Sequence, residues 1–164
     1  MSREFQRARK PEQKAQRREM LLEAAASLMA DGGLDAVSLS AIARRASLAK
    51  SNIYRYFESR EDILLQLLRA DQNAWLQVIT ERFGELNPPA SPQEVAGILA
   101  STTAEHARMC ELMSVLSSVL EHNVSEEAVL RYKTHSLTFF AQAFSAVVRC
   151  LPGINPEGAH VIAA

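Results

Sequence analysis

Apolar residues recur along this chain three and four positions apart, the spacing of a helix, and no run alternates apolar with polar residues long enough for a strand. Met20, Leu21, Ala24, Ala25 and Leu28 form one stripe of a first helix. It is expected to start near Pro11, a favourable first-turn residue, and to stop at Gly32-Gly33, where glycine readily turns left-handed. Ser38 can cap a second helix of barely two turns, with Leu39, Ile42, Ala43 and Ala46 facing inward. After a break at Ser47-Leu48-Ala49, a third short helix is expected over Lys50 to Phe57, anchored by Ile53 and Phe57. Ser59-Arg60-Glu61-Asp62 has the spacing of a capping box and opens a helix that meets no Pro or Gly before Gly84, about 35 Å of rod at 1.5 Å per residue.

Asn87-Pro88-Pro89-Ala90-Ser91-Pro92 is the clearest loop, and Ser91, Pro92 and Glu94 start a helix expected to reach about Arg108. Leu112, Val115, Leu116, Val119 and Leu120 mark a further helix over residues 111–121. Ser125 then caps a long helix to about Cys150, whose expected inward stripe is Val129, Tyr132, Leu137, Phe140, Phe144, Val147 and Val148. Beyond the loop at residues 151–156, Asn155 and Pro156 open a last helix that the sequence leaves at Ala164. The fold class is all-α.

With 48% hydrophobic and 23% charged residues, the 164-residue chain has the composition of an ordinary soluble globular protein. No stretch approaches the eighteen apolar residues of a membrane span, so no membrane partner is expected. Cys110 and Cys150 are too few for a disulfide framework or a four-ligand zinc site, and the expected compartment is the reducing cytoplasm.

The net charge of −1 conceals an asymmetry. Residues 1 to 60 hold 12 Lys/Arg against 7 Asp/Glu, and the remainder hold 6 against 12. One end suits a polyanion and the other does not, which points first to nucleic acid and second to an anionic membrane surface.

Two helices of about two turns, joined by a three- or four-residue turn and braced by a longer helix before them, make a helix-turn-helix. With Ile53 and Phe57 inward, the third helix leaves Lys50, Ser51, Asn52, Arg55 and Tyr56 outward, a set of donors without an acid that can enter a major groove.

The run from Leu39 through Ala43-Arg44-Arg45-Ala46 and Ile53-Tyr54-Arg55-Tyr56-Phe57 to Leu64 resembles the signature of the TetR-type bacterial transcriptional repressors (the TetR/AcrR family). Ala24-Ala25 and Gly32 to Ser38 upstream are similar to it as well, so the resemblance covers roughly residues 15 to 68. The chain departs from that pattern in having Ser47 and Ser51 where the family has glycine, Ala49 where it has a serine cap, and Arg60 where it has lysine. Ser47 is therefore expected in a left-handed conformation, and Ala49 offers no side-chain cap.

The resemblance implies a helix-turn-helix DNA-binding domain with a basic arm over residues 1–58 and a helical ligand-binding and dimerisation domain over 59–164. It implies base-edge contacts from Lys50, Ser51, Asn52 and Tyr54, and phosphate contacts from Ser38, Arg44, Arg45, Arg55, Tyr56 and Arg60. The other reading of Tyr54 is a ring that braces the motif's core, and of Arg44 and Arg45 a solvated face. The resemblance also implies a cavity for a small-molecule effector, for which Trp75, Ile79, Phe83, His106, Met109, Met113, Leu116, Phe140 and Phe144 are candidates; ordinary core packing is their other reading.

A homodimer is implied too, joined by a four-helix bundle of each subunit's last two long helices. Since only Asn155 to Ala164 follows the final loop, the second domain is expected to be incomplete at its C-terminal end. The operator duplex, the effector and the second subunit are thus the expected partners. No cofactor or metal is called for. His106 and Cys110 share a helix face, but His122, His135 and Glu111 have no spacing that makes them converge on it. Without a phosphate loop or a nucleophile motif no enzyme is expected. The rival from another class is a small helical carrier or enzyme with a solvated basic arm.

Overall fold

The computed structural model describes residues 3–87, 89–117, 124–151 and 153, with side chains from Pro11 onward. Among them are seven α-helices and one 3₁₀ turn, and no strand. In chain order they are α1 (Arg3–Gly32), the 3₁₀ turn (Leu34–Ala36), α2 (Leu39–Arg45), α3 (Lys50–Ile53), α4 (Arg60–Gly84), α5 (Pro92–Glu105), α6 (Ala107–Ser114) and α7 (Glu126–Cys150). None of the helices is long and apolar enough to cross a membrane, among the described residues. The chain divides into two compact units: Met1–Leu68 with Glu111–Val129, and Arg69–Cys110 with Leu130–Ala164.

The caps behave as their side chains dictate. Ser38 Oγ accepts from Ala41 N at 3.1 Å, and Ser125 Oγ from Ala128 N at 3.2 Å. Ser91 and Glu94 close a full capping box that opens α5. The box at Ser59 is split: Ser59 Oγ accepts from Asp62 N, but the Asp62 carboxylate accepts from Glu58 N, one residue before the box.

Six expectations are corrected. The first helix starts at Arg3 and passes through Pro11, which lies in its interior and forgoes one backbone bond. In its stripe Met20 is exposed and Met29 buried. On α2, Ala41 is buried and Leu39 only half-buried. The third helix is a single α-helical turn, Lys50–Ile53, continued by a tighter turn through Tyr56; Ile53 and Phe57 are both buried as expected.

The expected helix from Ser91 to Arg108 breaks at His106, where no Pro or Gly stands. Thr102 O, the carbonyl that His106 N–H would take in a continuing helix, faces the imidazole Nδ1 at 2.7 Å, while His106 N–H turns to Thr103 O. A side chain competing for a backbone group ends the helix there. The expected inward stripe of α7 is also re-registered. Ala128, Tyr132, Phe139, Ala146 and Cys150 are buried, whereas Leu137 is 73% and Phe140 56% exposed. Val129, Phe144, Val147 and Val148 are half-buried. A helix with two apolar faces can bury only one against its own chain. The expectations for His122, Val119, Leu120, Asn155 and Pro156 lie outside the described residues.

Candidate functional site

In the first unit Leu21, Ala25, Val37, Ile42, Ile53, Phe57, Ile63, Leu64 and Leu68 are buried and hold α2 and α3 against α1 and the start of α4. Arg18 adds a brace that the sequence did not advertise. Its guanidinium lies 4.4 Å from the Phe57 ring centroid, donates to Tyr56 O at 2.5 Å, and also donates to Gln66 Oε1. A cation stacked on a buried ring and bonded to the backbone beside it fixes the end of α3.

A second brace fixes the segment before α2. Gly33 has φ 67°, in the left-handed region. The Leu34 N–H that follows donates to Glu111 Oε1 at 2.9 Å. Arg60 Nε donates to Val37 O at 2.5 Å and its Nη2 to Leu34 O at 2.9 Å. The first residue of α4 and a carboxylate on α6 together grip the turn that delivers Ser38 to its cap. Neither role was legible beforehand, because both join residues far apart in sequence.

The turn between α2 and α3 has the expected strain: Ser47 sits at φ 54°, and Ala49 makes no side-chain cap bond. Beyond it Lys50, Ser51, Tyr54 and Arg55 are exposed, Tyr54 to 57%, while Asn52 and Tyr56 are half-buried. Exposure on that scale removes Tyr54 from the motif's core. Arg44 is exposed and Ser38 also reaches the surface. Among the described residues, Arg44, Lys50 and Arg55 have no ion pair, which leaves three cations on or beside the two short helices. Arg45 instead pairs with Asp31 at 2.6 Å and donates to Ser27 Oγ, and Arg60 has the backbone partners above.

In the second unit, Trp75, Ile79, Phe83 and Met109 are buried, and His106 and Phe144 are half-buried. Trp75 Nε1 donates to Thr102 Oγ1 at 3.1 Å, and its ring centroid lies 5.8 Å from that of Phe139. Phe139 touches Phe140 edge-on at 5.2 Å and faces His135 at 6.4 Å. Met113, exposed, and Leu116, half-buried, belong to the first unit, so the structure does not gather the candidate effector residues in one unit. Arg108 grips Asp71 in a bidentate pair, Nε to Oδ2 at 2.8 Å and Nη2 to Oδ1 at 2.5 Å, and that carboxylate raises the arginine's pKa further. Burial, then the Arg69 charge, pulls the His135 pKa below its ordinary value. Cys110 Sγ lies 3.6 Å from Thr103 O, and Glu111 is engaged with Leu34. Among the described residues no three His, Cys, Asp or Glu side chains are grouped to hold a metal ion.

Residues 21–67 match the family of bacterial regulatory proteins of the tetR type, and residues 69–164 match the tetracyclin repressor-like C-terminal domain. Among curated proteins, the HTH-type transcriptional repressor KstR2 of Mycolicibacterium smegmatis is 39% identical over 66 residues, 40% of this chain and 32% of that protein. The repressor KstR of Rhodococcus jostii is 40% identical over 53 residues, 32% of this chain and 25% of its own length. The fatty acid metabolism regulator protein of Bacillus subtilis is 31% identical over 65 residues, 40% of this chain and 34% of that one. The chain thus spans about a third or less of the curated relatives it matches. In fold, a TetR family transcription regulator from Marinobacter aquaeolei is similar with a TM-score of 0.53 at 18% identity, over 82% of this chain and 70% of the other.

Proposed function

Because this chain belongs to the TetR family of bacterial regulatory proteins, we propose that it is a sequence-specific DNA-binding transcriptional regulator, a ligand-responsive repressor that holds a palindromic operator as a homodimer. The observation that carries the reading is the surface of the two short helices, where Arg44, Lys50 and Arg55 stand exposed without acidic partners beside an exposed Tyr54. Lys50, Ser51, Asn52 and Tyr54 read base edges; Ser38, Arg44, Arg55 and Tyr56 hold phosphates. Arg45 and Arg60 reach phosphate from positions already tied to Asp31 and to the carbonyls of the 34–37 turn. The protein acts in the cytoplasm as a binding protein and not as a catalyst.

The effector binds in the helical half, among Trp75, Ile79, Phe83, His106, Met109 and Phe144, and acts by displacing α4. Phe140 fits the homodimer surface better than a cavity wall, since it is exposed together with Leu130 and Leu137 on α7. Selection of bound duplexes from a random pool, followed by mobility shift at several salt concentrations, tests the function. A regulator loses affinity steeply with salt as it releases condensed cations, and a carrier with a solvated basic arm shows no shift at all. Binding that survives both Lys50→Ala and Tyr56→Ala would overturn the choice of reading helix.

A further inference from the structure

Three side chains of the second unit leave buried polar atoms without a hydrogen-bond partner: Gln72 Oε1 and Nε2, His135 Nε2, and Ser136 Oγ. Gln72 is the severe case, since the whole residue is 0% exposed and both ends of its amide are orphaned. A polar atom left unpaired in a protein interior destabilises the fold, so four of them on two helices make a poor core.

Helical spacing relates them. On α4, Gln72 stands three residues after exposed Arg69 and three before buried Trp75, a neighbour of each along the helix. On α7, His135 and Ser136 flank the line from buried Tyr132 to buried Phe139. The Arg69 charge acts on His135, and Trp75 meets Phe139 at 5.8 Å. Along α4, Gln72 falls between Arg69 and Trp75, the residues that act on His135 and meet Phe139 of α7.

We propose that Gln72, His135 and Ser136 form the polar end of a binding site whose apolar wall is Trp75 and Phe139, built for an uncharged molecule with a hydroxyl or amide head on an apolar body. The proposal rests on the effector-responsive reading of this half of the chain and names the effector's chemistry. The head must offer both a donor and an acceptor, because Gln72 presents one of each. A carboxylate offers acceptors alone and leaves Gln72 Oε1 unpaired; Asp71 and Arg108 are spent on each other, and Arg69, whose charge reaches His135, stands exposed to solvent. Burial and Arg69 keep His135 neutral, so its ring can donate or accept.

The test uses the full 164-residue chain and its sole tryptophan, Trp75. Titration with 1-decanol, decanamide and decanoate at pH 8 is followed by Trp75 fluorescence and by thermal midpoint. Decanol and decanamide should bind about tenfold or more tightly than decanoate, and Gln72→Leu should remove about tenfold of that affinity, since a site built to hydrogen-bond a head group rejects what cannot pair. The unliganded Gln72→Leu chain should melt no lower than the parent, because it loses two orphaned atoms. Ser136→Ala, which deletes only a hydroxyl, carries the same expectation should the leucine chain fail to fold. The proposal is overturned if none of the three probes binds, if decanoate binds as tightly as decanol, or if decanol affinity survives both substitutions. A midpoint that drops in Gln72→Leu with decanol affinity intact would assign the amide to a structural water. Operator shifts run in parallel separate the two layers. Decanol binding that needs Gln72 yet leaves DNA affinity unchanged keeps the site and removes the effector role. A decanol effect on DNA affinity that ignores Gln72 keeps the effector role and removes this site.

Discussion

Ser47 holds the turn between α2 and α3 at φ 54°, a conformation that costs a residue with a Cβ roughly 1–2 kcal/mol. Ser47→Gly removes that strain, partly offset by the extra freedom glycine has when unfolded, and is expected to stabilise by about 0.5–1 kcal/mol. Thermal unfolding should show the midpoint rising by about 2–4 °C or less, the size expected for a chain of this length. His135 makes a pH prediction. Its folded pKa lies below the ordinary 6.5, so between the two values the unfolded chain binds the extra proton. Stability is complete above the unfolded pKa and is lost as pH falls through 6.5 toward the folded value. Melting curves from pH 8 to pH 5 should fall in that window for the parent and flatten there in His135→Gln.

At the scale of elements, Arg60 joins the proposed phosphate contact to a structural grip that the fold shows. As a phosphate contact it needs only its charge; as the grip on Leu34 O and Val37 O it needs the planar fork. Arg60→Lys should therefore keep the salt slope of DNA binding while weakening binding to all duplexes and lowering the melting temperature. Arg60→Ala should also flatten that slope by about one unit. Glu111→Ala removes the other grip on the turn. Losing a half-buried bond to a carboxylate is expected to cost about 1–2 kcal/mol of stability, measured by denaturant unfolding. The difference between Arg60 and Glu111 also shows what could be read in advance. Serine caps at Ser38, Ser91 and Ser125 depend on neighbours within four residues, and they were legible, whereas the left-handed Ser47 was expected only from the resemblance, which has glycine there. Glu111 to Leu34 spans 77 positions and Arg18 to Tyr56 spans 38, so local spacing holds no trace of either. The break at His106 was missed because it comes from one imidazole competing for Thr102 O rather than from a helix-breaking residue. The reading of α7 failed differently. Its apolar positions fall on two faces, and periodicity counts both without telling which one meets the chain's own core.

At the scale of the whole molecule, the second face of α7 is the feature that a lone subunit leaves unexplained. Leu130, Leu137 and Phe140 are 66%, 73% and 56% exposed, at spacings of seven and three that keep them near one another along the helix. Beside them runs an open groove of about 680 Å³ between α4 and α7, lined by Leu76, Thr80, Leu137 and Ala141 among others. Large apolar side chains gathered on one helix mark an interaction surface more often than chance exposure does. A reading head alone holds one half-site, and joining two heads makes the second contact intramolecular, which raises affinity by about 10²–10⁴-fold with no new base contact. Leu137→Asp with Phe140→Asp places two charges on this face without touching α2 or α3. Sedimentation at micromolar concentration should then show the proposed dimer giving way to monomer. Affinity for a palindromic duplex should fall by about 10²-fold or more while affinity for a single half-site stays level. A dimer that survives both aspartates would place the contact elsewhere on the chain, whereas loss of half-site binding as well would mean that the substitutions had damaged the fold rather than the assembly.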